Sequence, residues 1–156
     1  MIHGGKLGGS TITGIHFERR VSLKDALAAT GQFTLTGNDV FLNDKKIAEV
    51  YLKHELYKKF LAPKKINHQE ILSKRLLPDQ AVFVFSNKTL FIIEIKFQKV
   101  AGSVDEKLQT CDFKLKQYKK LVKPLGIQIK YAYVLNDWFK HAQYKDTLDY
   151  VKSVGC

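Results

Sequence analysis

Two almost continuous apolar runs, separated by a short polar turn, predict two paired strands in the middle of the chain. The first covers 80–85 (QAVFVF) and the second 90–97 (LFIIEIKF). Both are rich in the β-branched and aromatic residues that favour strands. Residues 87–88 stand at the centre of the short turn between them. Antiparallel pairing about that centre places Asp79 roughly opposite residues 94–96.

Side chains along the second predicted strand alternate between the two faces of the sheet. One face receives Leu90, Ile92, Glu94 and Lys96, and the other receives Phe91, Ile93, Ile95 and Phe97. Asp79, Glu94 and Lys96 are therefore expected to meet at one end of the sheet. Ionised side chains cost several kcal/mol to strip of water unless they are paired or bound to a metal. The cluster therefore indicates either an ion-pair network or a metal site.

Helical spacing and turn residues predict the elements before this hairpin. Residues 14–31 have the spacing of an amphipathic helix that stops at a glycine, unless Ser22 caps a second helix and breaks the first. A hairpin with an Asn-Asp turn is expected over 40–50, and a helix over 51–62 that ends at Pro63. The apolar positions available for burial in the two helices are Ile15, Phe17, Val21, Ala26, Leu27, Leu52, Leu56 and Phe60.

The second half of the chain continues with a helix, a strand and a closing helix. The long helix is expected over 102–126, where Ser103 and Glu106 have the spacing of a capping box. Its predicted apolar face consists of Leu108, Cys111, Leu115, Tyr118 and Val122. A strand over 127–137 and a helix over 144–155 follow. The order predicts a mixed α/β layer, with helices against a central sheet.

Length and composition fit one domain. The 156 residues are 45% hydrophobic, which allows a sizeable core but not two ordinary domains. Glu94 and Lys96 interrupt the apolar stretch that starts at Leu90, so no membrane span is expected. The Gly-rich residues 1–13 lack the apolar core of a secretory signal and are expected to form a flexible lead-in, which leaves 14–156 as the domain. Cys111 and Cys156 are the only cysteines, which favours a cytoplasmic location and argues against a disulfide framework or zinc site.

Basic residues exceed acidic ones by a wide margin. Lys and Arg number 26 against 15 Asp and Glu, a formal net charge of +11. Many of the lysines come in pairs: Lys45-Lys46, Lys58-Lys59, Lys64-Lys65 and Lys119-Lys120. Because such a field attracts a phosphate backbone by releasing its counterions, nucleic acid is the expected partner. A basic solvated surface without a partner is the alternative.

A Pro-Asp pair followed by a strand carrying Glu-x-Lys resembles the active-site signature of the PD-(D/E)XK nuclease superfamily. In this chain the signature reads Pro78-Asp79 and then Glu94-Ile95-Lys96. The motif is short. The resemblance is supported by the predicted register, which brings the two halves of the motif together, and by the strongly basic composition of the chain.

The resemblance extends beyond the signature. The segment 102–121 looks like a subset of restriction-type members, and the similarity spans roughly residues 14–136. It implies a single restriction-endonuclease-like α/β domain with a mixed central sheet and an αβββαβ core. It also implies a further acidic site residue on the first helix, Glu18.

The resemblance implies a Mg²⁺ site, with Mn²⁺ able to substitute. Asp79, Glu94 and the main-chain carbonyl of Ile95 would supply hard oxygen ligands of the kind Mg²⁺ prefers. Lys96 would orient the attacking water and offset charge on the phosphorane. Glu18 would complete the metal sphere or reach it through water.

Further candidates lie around this set. Asp105 and Gln109 are expected near the metal ligands, whereas a capping box accounts for Glu106. The candidate DNA-contacting residues are Lys74, Arg75, Lys116 and Lys120. Plain structural interpretations stay open, with Asp79 as a strand-start residue and Glu94 and Lys96 as an ion pair on a solvated face.

The leading functional hypothesis is a Mg²⁺-dependent DNA endonuclease, either a type II restriction endonuclease or its catalytic subunit. The short chain leaves little for sequence reading, so a homodimer or a separate DNA-recognising subunit is expected, with no nucleotide cofactor. The alternatives are a Holliday-junction resolvase or other structure-specific nuclease and, in another class, an inactive nucleic-acid-binding module with the same fold.

Overall fold

Six strands form one mixed sheet in which neighbours along the chain are neighbours in the sheet. The structure, a computed structural model, describes residues 21–100 and 102–156. The strands are β1 (Phe33–Thr36), β2 (Asp39–Leu42), β3 (Lys45–Leu52), β4 (Gln80–Val84), β5 (Thr89–Lys96) and β6 (Gln128–Leu135). Strands β1 to β5 pair antiparallel in succession, and β6 pairs parallel to β5. The predicted mixed α/β architecture is confirmed.

The described residues also form five α-helices, which are α1 (Leu23–Ala29), α2 (His68–Ile71), α3 (Val104–Leu108), α4 (Cys111–Val122) and α5 (Lys145–Ser153). A π-helix covers Leu56–Leu61 and continues into a 3₁₀ turn, Ala62–Lys64. Parallel strands need a crossover connection, and α3 and α4 provide it between β5 and β6. No helix in the described part of the chain is long and apolar enough to cross a membrane.

The N-terminal elements follow the second of the two sequence interpretations. Ser22 caps α1, because its hydroxyl oxygen accepts a hydrogen bond from the Asp25 N–H at 3.4 Å. Ala26 is exposed rather than buried. Strand β1 is a four-residue edge strand that the pattern did not predict. The predicted lead-in, the earlier part of the first helix and Glu18 lie outside the described residues.

The helix predicted over 51–62 starts later than its apolar spacing indicates. Leu52 is the last residue of β3 and is 42% exposed. Lys53 then turns the chain with a positive φ of 43°. Leu56 and Phe60 are buried as predicted, and Pro63 lies in the 3₁₀ turn that ends the helical segment.

The long helix predicted over 102–126 is broken between α3 and α4. The Thr110 hydroxyl donates to the Lys107 carbonyl at 2.8 Å, and the Tyr133 hydroxyl donates to the Leu108 carbonyl at 3.2 Å. Side chains thus occupy carbonyls at which the helix would otherwise continue. The Ser103 side chain makes no capping hydrogen bond, so the predicted capping box does not form.

The sheet separates two apolar clusters. Leu90 and Ile92 belong to the larger cluster, which also holds the buried side chains of α4. Phe91 and Ile93 pack on the smaller cluster beside α1. The predicted alternation along β5 is therefore confirmed, and so is the apolar face of α4, whose Cys111 is buried in the core.

Candidate active site

The β4–β5 register places Asp79 beside the end of β5. Gln80 pairs with Ile93, so Asp79 precedes β4 at the level of Glu94. The Asp79 carboxylate, through Oδ2, accepts a hydrogen bond from the Ile95 N–H at 2.7 Å. The prediction that Asp79 lies opposite residues 94–96 is confirmed.

The ammonium group of Lys96 lies among the three oxygen atoms proposed as metal ligands. Its Nζ is 2.8 Å from Glu94 Oε2, 3.2 Å from the Ile95 carbonyl oxygen and 3.6 Å from Asp79 Oδ2. The Glu94 side chain is only 6% exposed, and those of Asp79 and Lys96 are 18% and 19% exposed. Glu94 and Lys96 therefore do form an ion pair, but within a largely buried network rather than on a solvated face.

A second lysine, Lys114 on α4, also contacts Glu94. Its Nζ lies 3.4 Å from Glu94 Oε1, the carboxylate oxygen that faces away from the Lys96 contact. Lys114 is not among the site residues that the sequence predicted. The available signal was its spacing, since Lys114 follows Cys111 by three residues and precedes Tyr118 by four, which places a cation at the edge of the buried stripe.

Buried tyrosines lie close to the carboxylates. Burial raises the pKa of Tyr131 far above its ordinary value, and the Glu94 carboxylate raises it further. Burial is also the main cause that raises the pKa of Tyr118, with smaller contributions from Tyr57 and then Glu94. Both phenols therefore stay neutral. Both belong to the larger core cluster on the face of the sheet that carries Glu94, where electrostatic interactions are stronger than in water.

Two polar side chains fix the backbone around this constellation. Gln80 accepts a hydrogen bond from the Leu23 N–H at 2.9 Å and donates to the Val21 carbonyl at 3.2 Å, which fastens the start of α1 one residue from Asp79. Beyond Lys96, the Asn136 side chain accepts from the Gln98 N–H at 3.1 Å and donates to the Gln98 carbonyl at 2.8 Å. The strand ends that carry the charges are therefore held on both sides.

The donor atoms fit a hard divalent cation. Asp79 and Glu94 provide carboxylate oxygens and Ile95 a carbonyl oxygen, and these already surround a positive group. Within residues 21–100 and 102–156, no three His, Cys, Asp or Glu side chains come together as a larger ligand set. Mg²⁺ keeps several waters and commonly takes one or two protein carboxylates plus substrate phosphate, so a small donor set suits it.

Two further predicted site residues, Asp105 and Gln109, lie within α3 and directly after it. Gln109 is exposed and lines a groove with side chains of α5. Among the described residues, neither Gln109 nor Asp105 forms a hydrogen bond or ion pair with Asp79, Glu94 or Lys96. Their proposed roles near the metal ligands stay predictions.

The candidate DNA-contacting residues are exposed. Lys74 and Arg75 precede β4, and the Arg75 guanidinium lies 5.2 Å from the centre of the Tyr57 ring. Lys116 and Lys120 line a groove of about 800 Å³ between α4 and β6. The groove also contains Phe113, which is 59% exposed, and the lysines Lys119 and Lys123.

No protein-family model, curated protein or solved structure matches this chain.

Proposed function

We propose that this chain is a Mg²⁺-dependent DNA endonuclease of the PD-(D/E)XK type. One observation carries the proposal: Asp79, Glu94 and the Ile95 carbonyl converge on a single cationic group at the end of β5. If Asp79 only started a strand and Glu94 only formed a surface ion pair, the Glu94 carboxylate would not need to be buried among these groups. The net charge of +11 supports a phosphate-bearing substrate.

The element order supports the same proposal. Strands β3, β4 and β5 form an antiparallel meander after α1, and α4 then crosses over to the parallel strand β6. With the helical segment between β3 and β4 set aside, this order of helix, three strands, helix and strand is similar to the αβββαβ core expected for restriction-endonuclease-like domains. Strands β1 and β2 extend the sheet beyond β3.

The residues of the proposed site would have two different roles in the reaction, metal binding and stabilisation of negative charge. Asp79, Glu94 and the Ile95 carbonyl would hold the ion, which supplies Lewis-acid polarisation of the phosphate and a more acidic bound water. Lys96 would leave its oxygen neighbours and donate to a non-bridging phosphate oxygen or to the attacking water. Its positive charge then lies where negative charge grows during phosphoryl transfer.

Incubation with supercoiled, linear and four-way-junction DNA, with and without Mg²⁺, tests the proposal. We expect Mg²⁺-dependent scission, with Mn²⁺ able to substitute. Scission confined to four-way junctions would identify a resolvase instead of a restriction-type enzyme. DNA binding without cleavage of any of these substrates would support the alternative, an inactive nucleic-acid-binding module.

We expect DNA affinity to fall steeply with rising salt and to depend on the groove beside α4. Lys120→Glu should weaken duplex binding and lower the slope of log Kd against log salt by about one, because one phosphate contact is lost. Fluorescence anisotropy across a KCl series measures both effects. Lys152→Glu, at an exposed lysine outside the groove lining, is the matched control, and binding that ignores ionic strength would contradict the polyanion partner.

Double-strand cleavage should require a second copy of the chain or a partner subunit. The described residues present one constellation, and one such site cuts one strand at a time. Sedimentation with and without DNA should therefore show a dimer. A chain that stays monomeric should only nick DNA until a partner subunit is added. Concerted double-strand breaks by a strict monomer would be inconsistent with this proposal.

A further inference from the structure

Two ammonium groups from different elements hold Glu94, one on each carboxylate oxygen. Lys96 on β5 contacts Oε2 at 2.8 Å, and Lys114 on α4 contacts Oε1 at 3.4 Å. The Glu94 side chain is 6% exposed and that of Lys114 is 26% exposed. The second contact therefore joins the crossover helix to a buried carboxylate.

The Lys114 contact differs from the surface ion pairs of the same helix. Lys116 pairs with Asp112 four residues earlier, and the Lys116 side chain is 66% exposed. Exposed pairs of this kind contribute little to stability. Lys114 reaches instead to a carboxylate on another element, where screening by water is weaker.

The two lysines have different relations to the proposed ion position. Lys96 lies among the three donor oxygens, so a divalent cation bound there would repel the ammonium and displace it. Lys114 contacts the other oxygen of Glu94, so an ion at the three donor oxygens would not displace it. After Lys96 is displaced, Lys114 still holds the carboxylate in place.

We propose that Lys114 is a positioning residue, which fixes Glu94 through Oε1 and leaves Oε2 directed at the metal donors. The inference rests on the proposed function. The Lys114 ammonium also affects the ion, because it contacts the proposed ligand Glu94 and so makes the electrostatic potential of the site less negative. Lys114 therefore weakens Mg²⁺ binding to the free protein while it keeps Glu94 in the orientation that cleavage requires.

The test compares Lys114→Met, which keeps the length of the stem and removes the charge, with Lys114→Arg, which keeps the charge. Calorimetry with MgCl₂ on the DNA-free protein should show about threefold or more tighter binding for Lys114→Met. Single-turnover cleavage at saturating Mg²⁺ should fall about tenfold or more. Lys114→Arg should stay near the wild-type values in both measurements.

Lys152→Met, at an exposed lysine of α5 outside the groove lining, is the matched control and should leave Mg²⁺ affinity and the cleavage rate unchanged. A Lys114→Met protein with wild-type Mg²⁺ affinity and cleavage rate, whatever its melting temperature, would show that Lys114 is only a structural tie and overturn the inference. That result would leave the proposed function intact, provided that the wild type cuts DNA. A wild-type protein that binds no divalent cation and cuts no DNA would overturn both.

Discussion

Glu94→Gln should abolish DNA cleavage while the protein still folds and binds DNA. Glutamine keeps the volume of a side chain that is buried among the strand ends, but it removes the negative charge that a divalent cation needs. We expect the single-turnover rate to fall about a thousandfold or more, because several kcal/mol of metal-dependent stabilisation is lost and each 1.36 kcal/mol is a tenfold change. Plasmid cleavage and calorimetry with MgCl₂, run in parallel, measure the effect.

Asp79→Asn should have the same consequence by the same route. Its amide oxygen can still accept the hydrogen bond that the Ile95 N–H now donates to the carboxylate at 2.7 Å, so the hairpin end is preserved while the charge is lost. DNA affinity measured without metal should stay the same or rise in both variants, since a negative group next to the phosphate is removed.

An exposed carboxylate provides the control for these two variants. Asp137 pairs with Lys140 and its side chain is 88% exposed, and Asp137→Asn should leave cleavage and Mg²⁺ binding unchanged. If Glu94→Gln still cuts at the wild-type rate, the constellation at the end of β5 is a structural ion-pair network and the proposed active site is wrong.

Lys96→Met should also abolish the proposed cleavage, but with metal binding retained. Its ammonium now lies within 3.6 Å of all three proposed donor groups. Removal of this positive group should make Mg²⁺ binding to the DNA-free protein tighter, whereas cleavage should fall about a hundredfold or more because the water and phosphate lose their cation. Tighter Mg²⁺ binding together with slower cleavage would distinguish Lys96 from the proposed metal ligands Asp79 and Glu94, because loss of either ligand should lower both the Mg²⁺ affinity and the cleavage rate.

Calcium gives an independent check on Lys96. Ca²⁺ accepts oxygen ligands but is larger and less demanding in geometry than Mg²⁺, so it should support DNA binding without turnover. Under those conditions, Lys96→Met and the wild type can be compared as bound complexes. Weaker binding of both Mg²⁺ and Ca²⁺ by Lys96→Met would instead make Lys96 a structural support of the donor groups.

Local sequence patterns predicted most of the hairpin but failed where tertiary contacts end or bend an element. The alternation along β5 and the buried face of α4 follow from periods of 2 and 3.6 residues, which any amphipathic element must show. Leu52 has helical spacing with Leu56, yet pairing with Gln80 holds it in β3. The break between α3 and α4 depends in part on the Tyr133 hydroxyl, which comes from a strand 25 residues away along the chain.

The sequence by itself determined that Asp79, Glu94 and Lys96 would meet, because a short turn and strict alternation decide which residues of a hairpin are opposite each other. The tertiary structure decided that Lys114 would join them. That contact depends on the parallel pairing of β5 with β6 and on the way the crossover lays α4 against the sheet. A helix can bury the same stripe at several rotations, and only its packing against the sheet selects the one that brings Lys114 to Glu94.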